Sequence, residues 1–259
     1  MNKPGFTGLQ IIFFLILANL FIYAQADPGE ERTPAKIETR IEQVAALADE
    51  SPDQAIPQAS ELLKQLTKSD DKLNRAKVLK TLGVSHYNLG NDRQALEYYE
   101  QALTLYRELE DKTGIGSMLN NIGLIREIQG DYSGALKRYI EASSLFTETR
   151  KDKFLALSLT NIGNVYYTLG RFDKALEYLT QALRINEKTG DSTGLSKSYN
   201  NIGNVYLSLK DYQIALDFYN KALAINKKRN NLHSLSTSYN NIGLVYQGLN
   251  KINQAIEYN

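Results

Sequence analysis

Cysteine and tryptophan are absent from this 259-residue chain, and histidine occurs only twice. Without cysteine there is no disulfide, no thiol nucleophile and no thiolate-bound metal. His86 and His233 lie in different stretches of chain without a matching partner, which removes a histidine metal site as well. Neither sign of charge is in excess: 30 basic residues face 29 acidic ones for a net charge of +1. Nucleic acid and anionic membranes both need a concentrated positive field, so neither is expected as the main partner. Long hydrophobic runs are scarce too.

The one such run, Leu9 to Tyr23, follows Lys3 and precedes the A-x-A tripeptide Ala24, Gln25, Ala26. That order predicts a signal peptide over residues 1–26, cut after Ala26, and a periplasmic or secreted mature chain. An uncleaved segment would instead anchor the chain facing the periplasm. The run falls short of the roughly 20 residues of a spanning helix and is broken by Asn19, which favours cleavage. With no cysteine after it, a bacterial lipid anchor is excluded. Residues 27–36, with the stretch DPGEERTPA, read as a flexible linker.

Repetition follows. Gly83, Gly123, Gly163, Gly203 and Gly243 stand forty residues apart inside nearly the same sentence, TLGVSHY, NIGLIRE, NIGNVYY, NIGNVYL and NIGLVYQ. A fixed period in this range marks an array whose units stack on their neighbours. Each unit carries two apolar stripes at helical spacing; one runs through Leu159, Ile162, Gly163 and Tyr166, the other through Phe172, Ala175, Leu176, Leu179, Ala182 and Leu183. Two antiparallel helices per unit are predicted. Gly90, Gly130 and Gly170 fall where the first helix must end in a left-handed residue, with Lys210 and Asn250 in that place later. Ala95, Ala135, Ala175, Ala215 and Ala255, and Ala102, Ala142, Ala182 and Ala222, let the paired helices approach closely, as the glycines do on the first helix.

The pattern N-x-G-x-x-Y, then G at the turn, then A-L-x-x-Y-x-x-A-L, seen in NIGNVYYTLGRFDKALEYLTQAL from Asn161 to Leu183, resembles the tetratricopeptide repeat. The usual unit of that family has 34 residues and a closing proline; here the unit has 40 and no proline follows Pro57. The likeness is therefore to the longer-helix branch, with spindle-orientation scaffolds, kinesin light chains and bacterial peptide-sensing regulators. It implies an all-α, right-handed superhelical solenoid of antiparallel helix pairs. The expected units are a degenerate one over 37–78, in which Gln43 replaces the glycine, then 79–118, 119–158, 159–198, 199–238 and an incomplete one over 239–259. The polar residues Glu38, Arg40, Glu42, Asp53 and Gln54 suit the degenerate unit to an end cap. Stopping early in a second helix suggests a fragment of a longer polypeptide.

The resemblance further implies a concave wall made by the first helices. Asn121, Asn161, Asn201 and Asn241 align there, with Asn164 and Asn204 a turn further along, and Asn120, Asn200, Asn240, Thr160, Tyr87 and Tyr167 around them. One asparagine can accept from a peptide N–H and donate to a peptide C=O, so a ladder of them suits an extended segment of any sequence. The competing reading is that these asparagines only tie neighbouring helices together. A carboxylate clamp of the chaperone-binding kind is not expected, because only Lys77, Lys80 and Lys197 are basic on this wall. No arginine–aromatic alternation marks a nucleic-acid channel. Paired carboxylates such as Glu108 and Glu110, or Asp70 and Asp71, fall near helix ends as solvated charge, and no nucleophile has a base beside it. A non-catalytic, protein- or peptide-binding scaffold without metal or cofactor is expected. It would be the extracytoplasmic part of a signalling protein or a free-standing assembly factor, touching membrane only through an uncleaved signal segment or a further C-terminal part.

Overall fold

A computed structural model describes residues 34–258, and all regular structure in that span is helical. The signal peptide expected over residues 1–26 and most of the expected linker lie outside the described residues. Twelve helices follow one another: α1 (Pro34–Glu50), α2 (Pro52–Leu66), α3 (Lys72–Asn88), α4 (Asp92–Glu108), α5 (Lys112–Ile128), α6 (Tyr132–Glu148), α7 (Asp152–Thr168), α8 (Phe172–Thr189), α9 (Ser192–Ser208), α10 (Tyr212–Arg229), α11 (Leu232–Gly248) and α12 (Ile252–Tyr258). Residues 34–36, read from sequence as the end of the linker, open α1. A proline is compatible with that first turn, where its missing N–H has no helical partner to lose.

The chain divides into two compact units, residues up to Leu89 and residues from Gly90 on. In the first, α1, α2 and α3 all pack on one another around Ile41, Val44, Ala55, Ala59, Leu62, Val78 and Leu82. Asn88 Nδ2 donates to the Ala48 carbonyl at 2.8 Å, and Lys77 pairs with Glu38 at 3.0 Å.

In the second unit each helix packs on the next, and among the odd-numbered helices α7 also touches both α5 and α9. The core is continuous rather than globular. One buried cluster passes through Tyr139, Ile162, Val165, Leu179, Ile202 and Val205, so four successive helices share it. Ala135, Ala142, Ala175, Ala182, Ala215 and Ala222 are fully buried, and the glycines opposite them mark the closest approaches. A Cβ on Gly123 would lie 2.7 Å from the Tyr139 ring, one on Gly163 2.7 Å from Leu179 Cγ, and one on Gly203 2.6 Å from the Tyr219 ring. The repeated glycine is thus a contact surface.

Reversals are tight because both helix ends of a unit use the same device. Gly90, Gly130, Gly170, Lys210 and Asn250 end the odd helices with positive φ, and Glu110, Arg150, Gly190 and Asn230 do so for the even ones. Behind them the backbone closes the 6→1 bonds of the Schellman motif, as in Asp131 N to Arg126 O at 2.8 Å and Arg171 N to Tyr166 O at 2.9 Å. Several of the helices that follow are then capped by a side chain. Asp71, Asp111, Asp131, Asp191 and Asn231 each accept from a first-turn backbone N–H. Left-handed Lys210 (φ 64°), Glu110 (φ 54°) and Arg150 (φ 55°) are strained for side-chain-bearing residues, and the bonded turn around each holds them there.

Candidate functional site

Asn121, Asn161, Asn201 and Asn241 fall at one register position of α5, α7, α9 and α11, and each is half-buried. Their amides are nearly unused inside the protein. Among the described residues the side chains of Asn121, Asn161 and Asn201 form no hydrogen bond, while Asn241 Nδ2 reaches Asn200 Oδ1 only at 3.5 Å, the outer limit of such a contact. Had these asparagines served to bind helix to helix, their donors and acceptors would be spent there.

The side chains around this row differ. Asn120 is not available: it is buried, and its Oδ1 accepts from Ser158 Oγ at 3.1 Å, so here asparagine does tie α5 to α7. Position 120 faces the neighbouring helix, whereas 121 is turned one residue further round. Asn240 is exposed, and Asn164 is half-buried with its amide unengaged. Asn204 accepts from the Tyr219 hydroxyl at 2.7 Å. Tyr167, half-buried, shares a 3.0 Å hydrogen bond with Ser208 on α9. Tyr87, near the end of α3, is half-buried in the first compact unit and is described there alone.

Apolar side chains complete the wall of the second unit. The register position of Asn164 and Asn204 is held by Leu124 on α5 and Leu244 on α11, the latter 48% exposed. Leu157, also 48% exposed, lies a turn ahead of Asn161 on α7. Together these give a row of free amides flanked by exposed leucine, a surface that can hydrogen-bond a peptide backbone and cover apolar side chains.

Ionisable groups near the wall are few. Burial pushes the Glu127 carboxyl up, with the Tyr139 hydroxyl bond pulling partly the other way. Burial, with the adjacent Tyr167 hydroxyl, likewise holds the Tyr219 hydroxyl above the usual tyrosine range. Among the described residues no group of three or more His, Asp or Glu could hold a metal, and no helix is long and apolar enough to cross a membrane.

Sequence reading missed a second set of asparagines, Asn186 and Asn226, near the ends of α8 and α10. Both are buried, and Asn226 bonds Ser196, Ser234 and Ser238 at 2.9–3.2 Å. The available signal was their register: Phe146 and Tyr106 fill the same place one and two units before Asn186, so a polar residue there must be buried and bonded.

The family model of the tetratricopeptide repeat matches residues 44–108, 114–188 and 190–259. No curated protein sequence matches the chain. Solved structures do. BtubC (BKLC) from P. vanneervenii is 21% identical over 90% of this chain and 89% of its own, with a TM-score of 0.63. Aspartyl phosphate phosphatase F from Bacillus subtilis is 15% identical over 96% of this chain and 78% of its own, at 0.70. A Rap protein complexed with competence and sporulation factor is 15% identical over 86% of this chain and 74% of its own, at 0.66. At such identities the likeness is one of fold: helices packed as sequential antiparallel pairs in the superhelical manner of these repeats.

Proposed function

The chain belongs to the tetratricopeptide repeat family, and from that premise we propose that it is a non-catalytic scaffold whose asparagine row holds a peptide or an extended protein segment. The observation carrying this reading is the set of unspent amides on Asn121, Asn161 and Asn201, half-buried and in register on α5, α7 and α9. None of these amide atoms is buried without a partner, so water serves them in the free protein and a ligand can take them over without breaking an internal bond. Leu124, Leu157 and Leu244 supply apolar contact beside them. A structural relative captured with its competence and sporulation factor supports ligand capture, and one named a phosphatase shows that enzymes also use this fold.

Replacing Asn161 and Asn201 together with alanine is expected to weaken capture of a bound peptide at least tenfold while shifting Tm by no more than about 2 °C, since no internal hydrogen bond is lost. A large drop in stability with capture intact would return these residues to a structural role.

The same proposal places the scaffold outside the cytoplasm, on the strength of Lys3, the apolar run from Leu9 to Tyr23 and the Ala24–Ala26 tripeptide. Mass spectrometry of the mature protein is expected to find Asp27 at the N-terminus in an extracytoplasmic fraction. An intact Met1 in the cytoplasm would end this part of the reading. There the scaffold serves as the sensing part of a signalling protein; the second reading, a free-standing assembly factor, is separated from it by the gene sequence following codon 259. An apolar segment of about 20 residues with kinase-type motifs beyond it supports the first.

A further inference from the structure

Tyr139 and Tyr219 hold equivalent places in α6 and α10, and both rings are fully buried beneath Gly123 and Gly203. Packing accounts for the rings but not for the hydroxyls, because phenylalanine would fill the same space. A buried tyrosine hydroxyl needs a polar partner. Each finds one on an odd-numbered helix: Tyr139 donates to Glu127 Oε2 at 2.8 Å, and Tyr219 donates to Asn204 Oδ1 at 2.7 Å. In the unit between them Leu179 occupies this place, and Asn164 carries no such bond.

The two partners stand on the wall described above. Asn204 shares its register with Asn164, and Glu127 shares that of Tyr167, whose hydroxyl reaches Ser208 on the next odd-numbered helix. With Oδ1 taken by Tyr219, what Asn204 still offers is the two N–H donors of its amide. Glu127 is half-buried, and Tyr139 is its one partner among the described residues; the neighbouring Arg126 is turned to Asp131 at 2.7 Å. A carboxylate held in part from water by one neutral donor and no cation is an incomplete site for a positive charge. Burial already disfavours its ionised form.

We propose that Tyr139 and Tyr219 are positioning residues that fix the two groups selecting the ligand, and that the ligand is a peptide segment presenting a lysine or arginine to Glu127 and a backbone carbonyl to the Asn204 amide. This rests on the asparagine-row reading and adds a chemical requirement to it. An acidic or uncharged segment meets the ladder but leaves Glu127 unpaired. Tyr139 holds one carboxylate oxygen so that the other faces the ligand, and Tyr219 ensures that Asn204 donates.

The test starts from a random twelve-residue peptide library displayed on phage and selected on the full chain. Recovered peptides are expected to share a lysine or arginine and to lose binding to the Asn161→Ala/Asn201→Ala protein. For one such synthetic peptide, Glu127→Gln is expected to weaken binding about tenfold, the effect of one desolvated charge pair at the low end of its range. Tyr139→Phe is expected to weaken it several-fold, and only for the lysine-bearing peptide, with no loss for its Lys→Gln analogue. Tyr219→Phe should weaken both peptides alike. A general loss of packing would not distinguish the analogues, so the selectivity of Tyr139→Phe is the deciding readout. Peptides that need Asn161 and Asn201 but show no basic residue, and bind Glu127→Gln unchanged, would overturn the inference and leave the scaffold reading standing. If no recovered peptide depends on Asn161 and Asn201, both fall.

Discussion

A Gly163→Leu protein is expected to lose about 2–3 kcal/mol of stability, the upper part of the range for overpacking a filled core. The reason lies in what surrounds the site. A Cβ there comes 2.7 Å from Leu179 Cγ and 3.3 Å from the Ala175 carbonyl oxygen, so α7 and α8 must separate even if Leu179 changes rotamer. The remaining leucine atoms then need space among Ile162, Val165 and Ala175, all fully buried. For a chain of this size the loss corresponds to a fall in Tm of roughly 5–10 °C. Because units are stabilised by their neighbours, the transition should also broaden as the array uncouples at α7–α8. Differential scanning calorimetry reads both; an unchanged Tm would show that the glycine is not the point of closest approach.

A comparable loss is expected at a position with no glycine. Asn226 is fully buried, accepts from Ser196 Oγ at 2.9 Å, and donates to Ser238 Oγ at 3.0 Å and to the Ser234 carbonyl at 3.2 Å. It therefore joins α10 to both α9 and α11. Asn226→Ala removes the acceptor of a buried hydroxyl and opens a cavity beside it, at a cost of about 2–4 kcal/mol by chemical denaturation. Removing the stranded partners should reverse much of this, since apolar groups on both sides of a lost hydrogen bond leave nothing unsatisfied. Asn226→Leu combined with Ser196→Ala and Ser238→Ala is thus expected to be more stable than Asn226→Ala alone. A cost below about 0.5 kcal/mol for the single alanine would mean that the network is loose.

The contrast between these two residues shows what the sequence makes visible. Gly163 could be assigned from Gly123 and Gly203, because repetition reports a requirement every time the geometry recurs. The first-helix ends at Gly90, Gly130 and Gly170 were legible for the same reason, and Lys210 and Asn250 could be placed by register although their residue types differ. Glu110 and Arg150 could not. They take up the left-handed conformation at the second-helix ends because the surrounding 6→1 bonds impose it, a preference no glutamate or arginine advertises. Helix starts were displaced as well: α3, α5, α7, α9 and α11 begin at 72, 112, 152, 192 and 232, ahead of the apolar landmarks at 79, 119, 159, 199 and 239 from which units were counted. The capping Asp71, Asp111, Asp191 and Asn231 were the better markers. On the wall, Asn121, Asn161 and Asn201 were named from repetition alone. Asn120 misled because adjacent residues on a helix point about 100° apart, and only the packed neighbour decides which of two asparagines is consumed. Glu127 escaped because its register does not repeat: Tyr87, Tyr167, Leu207 and Gln247 hold the equivalent places.

The succession of tight reversals also bears on how the chain acquires its structure. Every pair of packed helices in the second unit is adjacent or next-adjacent along the chain, so no contact must wait for a distant segment. Contact order is low, and ordering can spread from whichever pair forms first. For a polypeptide threaded head first through a narrow passage, each helix would meet its partners almost as soon as it emerges. Such a molecule can grow its structure from the leading end while the rest is still a strand in transit.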